Sequence, residues 1–101
     1  VNDDGIALRH KQKLLEILSA YERVERVILF GSRAMGSYTT ESDIDLVLIG
    51  DKISMTDQAA IIDAIEQTSI PQRVDIVLYR TISSEKLLEH IREFGVEWKL
   101  I

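Results

Sequence analysis

Two seven-residue stretches, DIDLVLI at 43–49 and RVDIVLY at 73–79, constrain this chain more than any other feature. Each starts with carboxylates and then turns apolar on both faces. Side chains alternate along a strand, so Asp43, Asp45, Val47 and Ile49 share one face, opposite Ile44, Leu46 and Leu48. In the same way Asp75, Val77 and Tyr79 lie opposite Val74, Ile76 and Leu78. The segment between the stretches, about 54–67, reads as an amphipathic helix with Met55, Ala59, Ile62 and Ile65 facing inward. A strand, a helix and a strand in that order predict a parallel pair joined by a right-handed crossover.

The rest of the chain supplies the partners. Residues 6–21 form a helix carrying Leu14, Leu15, Leu18 and Tyr21 on one stripe, and the apolar run 24–30 forms a strand ended by Gly31. Residues 32–38 are a tight segment with room for one helical turn. About a dozen residues separate the first two strands without a long helix, which favours antiparallel pairing. Pro71 breaks the second long helix. Ser83 or Ser84 caps a last helix carrying Leu87, Leu88, Ile91 and Phe94, with Gly95 as its stop. In the tail, Val96, Trp98 and Leu100 alternate with Glu97 and Lys99, the pattern of a short edge strand, although Phe94, Trp98 and Ile101 also keep helical spacing. The expected class is α/β, a mixed β-sheet packed with helices. At 101 residues the chain has room for one domain, 1–101.

If the parallel strands pair in register, Asp45 and Asp75 lie side by side with Asp43 one step toward the strand start. The Gly31–Ser32 turn ends the antiparallel neighbour at that same edge. Three carboxylates so close repel, and at least one should have its pKa pushed up. A hard divalent cation relieves the conflict, and an oxygen-only set completed by water and phosphates suits magnesium. Asp43 and Asp45 can reach one ion and bridge to a second; Asp75 can bind the second and accept a proton from an attacking hydroxyl. Gly31 lets backbone approach a phosphate, Ser32 adds a hydroxyl and an N–H, and Arg33 adds a planar fork for a triphosphate. Plainer readings exist for single residues. Aspartates at a strand start can be simply solvated, Asp75 can pair with Arg73, and Arg33 can pair with Glu41. His10 and His90 sit among charged residues on helices and offer little as ligands or bases.

The stretch LFGSRAMGSYTTESDIDLVLI, with ten residues between Ser32 and Asp43 and then Asp-x-Asp, resembles the signature of the DNA polymerase beta-like nucleotidyltransferase superfamily. Its GSRAxG form, with Arg33, Ala34 and Gly36, is most similar to the minimal nucleotidyltransferase (MNT) group, and Asp75 matches the family's third carboxylate. The resemblance implies a nucleotidyltransferase fold in which Gly31 and Ser32 hold the triphosphate and Asp43, Asp45 and Asp75 hold Mg2+. The implied reaction moves NMP, AMP from ATP, onto an acceptor. It also implies a partner, since MNT proteins commonly act as antitoxins of helical HEPN proteins and some AMPylate a tyrosine of that partner.

Composition narrows the remaining choices. There is no cysteine, which excludes disulfides and thiolate metal sites and agrees with a cytoplasmic setting. No apolar run approaches membrane-helix length. A net charge of −5 with no basic stripe argues against a nucleic-acid partner. Two rivals to protein modification stand. One is a non-catalytic module that neutralises a toxin by contact. The other is a small-molecule enzyme of the aminoglycoside kind, disfavoured because 101 residues leave little room for an acceptor-holding domain. A homo- or hetero-oligomer that completes the active-site rim is expected.

Overall fold

The computed structural model describes residues 4–101. Helix α1, Leu8–Ser19, leads into strand β1, Arg26–Phe30, and then a single helical turn α2, Ser32–Met35. Strand β2 is Ile44–Ile49, helix α3 Met55–Glu66 and strand β3 Val74–Leu78. A 3-10 turn at Tyr79–Thr81 precedes helix α4, Glu85–Phe94, and the tail forms strand β4, Val96–Trp98. The sheet order is β3-β2-β1-β4, with β2 parallel to β3 and antiparallel to β1, so the expected mixed α/β sheet is present. The tail takes the strand alternative and pairs antiparallel with β1 through Val27↔Trp98.

Alternation divides the sheet chemically. Val27, Leu29, Ile44, Leu46, Leu48, Ile76, Leu78 and Trp98 point to one face and form the main core with Leu14 and Leu18 of α1 and Ile61 and Ile65 of α3. Two helices bury that face. The opposite face carries Ile28, Phe30, Val47 and Val77, covered by Leu87, His90 and Ile91 of α4 and by Ile82 just before it. Its lower end, where Asp45 and Asp75 lie, stays open. Among the described residues no helix is long and apolar enough to cross a membrane.

Local chemistry sets the helix ends and differs in places from the sequence pattern. Helix α1 starts two residues late, because the Asp4 carboxylate accepts the Ile6 N–H at 3.0 Å and turns the chain there. Helix α3 begins with a reciprocal capping box: the Ser54 hydroxyl accepts the Asp57 N–H, and the Asp57 carboxylate accepts the Ser54 N–H. Its inward stripe is rotated from the expected one. Met55 is 74% exposed and Ala59 faces solvent, whereas Ile61 and Ile65 are buried. Gln58 faces the sheet instead, and its amide donates to the Ile76 carbonyl at 2.9 Å. Ser84, of the two candidate serines, caps α4 by accepting the Leu87 N–H.

Candidate active site

The site begins where β1 ends. Gly31 leaves the strand with φ +78 and ψ −159, a backbone region essentially reserved for glycine. Its Cα also lies against a carboxylate, since a Cβ there would stand 2.3 Å from Asp45 Oδ2. Strain and space therefore both require glycine. The Gly31 carbonyl accepts the N–H groups of Ala34 and Met35, both at 3.1 Å, which closes α2 and sets Ser32 as its first residue.

Sheet pairing gathers the carboxylates. Phe30 is opposite Asp45 across β1 and β2, and Asp45 is in register with Asp75 across β2 and β3. Asp43 precedes β2 by one residue and is exposed. The Asp45 carboxyl is pushed up to about 6, chiefly by burial, then by the charges of Asp75 and Asp43, and further by a hydrogen bond with Asp75. This is the like-charge conflict anticipated for three clustered carboxylates, expressed at one of them. Arg73 Nε donates to Asp75 Oδ1 at 3.0 Å, so the strand-edge ion pair and the placement beside Asp45 coexist. Among the described residues no three acidic or imidazole groups already converge into a ready-made chelate. A tight pair with a third carboxylate at its margin still fits magnesium, which takes few protein ligands and completes its shell with water and phosphates. The raised Asp45 carboxyl and the space beside Gly31 that admits no Cβ are consistent with a site that welcomes positive charge there.

Arg33 is placed otherwise than the spacing suggested. It is 2% exposed, and its guanidinium donates to the carbonyls of Asp4 at 2.9 Å, Ser42 at 3.0 and 3.1 Å, Thr40 at 3.3 Å and Thr39 at 3.4 Å. Its planar group also lies over the Tyr38 ring, 5.1 Å from the centroid. A fork committed to so many carbonyls is not available to a triphosphate, and it does not pair with Glu41. Arg33 instead ties the 39–42 loop to α2 and so sets the start of β2. The structure thus brings together Gly31, Ser32, Asp43, Asp45 and Asp75 and takes Arg33 out of the group.

One residue that sequence reasoning passed over belongs here. His90 Nε2 accepts the Gly31 N–H at 2.8 Å. Its ring meets the edge of Phe30, 6.3 Å between centroids, and tilts against Phe94 at 5.5 Å. The signal was available: His90 lies three residues after Leu87 and four before Phe94, on the inward stripe of α4. Charged neighbours masked it. From Asp45 and Asp75 a groove of about 940 Å³ runs past Arg73 and Pro71 to Ile62 and Ile65, along the free side of β3.

The family model described as polymerase beta, nucleotidyltransferase matches residues 12–97. Over 79 residues the chain is 30% identical to a Methanocaldococcus jannaschii protein named "Putative protein adenylyltransferase MJ0141", covering 75% of this chain and 80% of that one. Among solved structures, a toxin-antitoxin crystal structure with AMP-PNP superposes with a TM-score of 0.68 at 20% identity, covering 92% of this chain and 73% of that one. A structure of the tri-AMPylated Shewanella oneidensis HEPN toxin in complex with MNT antitoxin gives 0.67 at 17% identity, with 92% and 71% covered. A family match across most of the chain, on a fold that sets two aspartates side by side next to a glycine-serine turn, leads to one conclusion: this chain belongs to the polymerase beta nucleotidyltransferase family and is an enzyme of that class.

Proposed function

We propose that the chain transfers AMP from ATP to a hydroxyl of a partner protein of the HEPN kind, and that it acts thereby as an antitoxin. The observation that carries this reading is the register of Asp45 with Asp75 against a Gly31 turn that only glycine can form. The adenylyltransferase name of the Methanocaldococcus relative and the AMPylated HEPN toxin of the Shewanella complex support the acceptor class.

Asp43, Asp45 and Asp75 would hold magnesium, two ions as in two-metal phosphoryl transfer. When bound, magnesium supplies charge neutralisation for the triphosphate and for the oxygens that enter and leave. Ser32, through its hydroxyl and N–H, orients the phosphate tail, and Gly31, whose own N–H is held by His90, shapes the turn that presents it. Asp75 takes the proton of the acceptor hydroxyl as its oxygen bonds to the α-phosphorus, and the bond from that phosphorus to the departing pyrophosphate breaks. Phe30 and Leu87 wall the groove on the α4 side. Positioning contributes much of the rate in such transfers, so an acceptor that docks along the groove is favoured over one that diffuses in.

The test uses α-labelled ATP, magnesium and a HEPN-type protein encoded beside this one. Label on a partner hydroxyl with wild type, none with Asp43→Asn, and little on free tyrosine or aminoglycosides is the expected result. A partner that is bound and inhibited equally by Asp43→Asn, while mass spectrometry finds it unmodified, would establish the non-catalytic module. Rapid turnover of a small alcohol without any partner would establish the small-molecule enzyme.

A further inference from the structure

We propose that His90 is a positioning residue for nucleotide binding: its Nε2 holds the Gly31 N–H and so fixes the turn that presents Ser32 to the phosphates. The proposal rests on the nucleotide reading of the Gly31–Ser32 turn.

Three constraints meet at Gly31. Its φ of +78 is tolerated only because the residue lacks a side chain, so the same freedom lets it relax to other conformations. Asp45 Oδ2 occupies the space of a Cβ, and this contact blocks motion in that direction without attracting the chain. The 2.8 Å bond from the Gly31 N–H to His90 opposes relaxation, together with the Ala34 and Met35 N–H groups that hold the Gly31 carbonyl. The acceptor is well anchored. Phe30 and Phe94 flank the imidazole at 6.3 and 5.5 Å, and Ile91, next to His90, is buried against the sheet. An accepting Nε2 places the ring proton on Nδ1. Helix α4 also packs on Phe30, and this bond carries the seating of the last helix one residue further, to Gly31 itself. Loss of the bond frees the backbone that sets the distance between Ser32 and Asp45.

Side-chain replacements separate this role from packing. In His90→Gln the amide oxygen sits near the place of Nε2 and retains an acceptor for Gly31. His90→Asn puts its oxygen near the place of Nδ1 and cannot reach, at similar polarity. His90→Phe keeps the aromatic packing and removes the acceptor. Two readouts are needed: hydrogen exchange of the Gly31 amide in the apo protein, and Mg-ATP affinity by calorimetry. Expected are faster Gly31 exchange and about five- to tenfold weaker Mg-ATP binding for His90→Phe and His90→Asn, with His90→Gln close to wild type. If His90→Phe does not fold, the Gln and Asn pair decides alone. Equal affinity across the variants overturns the proposal, and tighter binding by His90→Phe overturns it in favour of a histidine that competes with phosphate for the Gly31 N–H. If wild type itself fails to bind Mg-ATP, the nucleotide reading fails and the positioning role falls with it. Weakened variants beside a binding wild type are then the only result that supports His90.

Discussion

Asp45 shows how a single carboxylate can couple chemistry to stability. Its ordinary value is 3.8 and its value in the folded chain is about 6, so folding favours the protonated acid. Below the ordinary value both folded and unfolded states hold the proton, and the full stabilising contribution is present. As pH rises through about 6 the folded chain must ionise a half-buried group beside Asp75 and Asp43, and that contribution is lost. Asp57, lowered mainly by the Ser54 backbone N–H, and Glu97, lowered by Arg26, act in the opposite sense and only at more acidic pH. Urea unfolding of the apo protein should therefore show stability declining between about pH 4 and 7. Asp45→Asn should flatten that decline, be at least as stable as wild type at neutral pH, and abolish transfer. A mutant that unfolds would instead make Asp45 a structural hydrogen-bond partner.

At the scale of elements, the 37–43 connection depends on one side chain from the helical turn before it. Arg33→Ala leaves the carbonyls of Asp4, Thr39, Thr40 and Ser42 without their donor and opens a void, a loss of about 3 kcal/mol by ordinary costs of buried hydrogen bonds and cavities. Arg33→Lys should recover little, because an ammonium cannot span the fork. Denaturant unfolding checks both, and an Arg33→Lys protein of wild-type stability with weakened ATP binding would return the residue to the phosphate role. This element also shows why part of the site was unreadable in the sequence. The strands, their parallel pairing and the union of Asp45 with Asp75 follow from alternation and connection length, which are local patterns. The direction of Arg33 depends on where the 39–42 carbonyls and Asp4 end up, and no spacing rule encodes that. Helix α3 teaches the same lesson in milder form: its isoleucines 61, 62 and 65 permit two stripes, and the sheet chose the one that buries Ile61. His90 was legible by its spacing and was obscured by the charges around it.

For the whole molecule, the open lower half of the α4 face is where ligand binding should be felt. A ligand that binds only the folded state raises stability by mass action, about 2.7 kcal/mol at a hundredfold excess over its dissociation constant. Mg-ATP should raise the melting temperature well beyond ATP with chelator, because the triphosphate would otherwise meet unscreened carboxylates. Equal shifts with and without the divalent ion would count against a site built on these aspartates.

The in-register pairing of β2 with β3 has a consequence for how such a protein can diversify. Neighbouring strands stand about 4.8 Å apart because backbone hydrogen bonds hold them there, so the separation of the two central carboxylates belongs to the sheet and not to any loop. Insertions in the 67–73 connection can reshape the wall that an acceptor meets while leaving that separation intact. The 37–43 connection has no such freedom, because Arg33 reads its carbonyls one by one. New acceptors would accordingly be acquired by rewriting the α3–β3 rim, with the chemistry inherited unchanged beneath it.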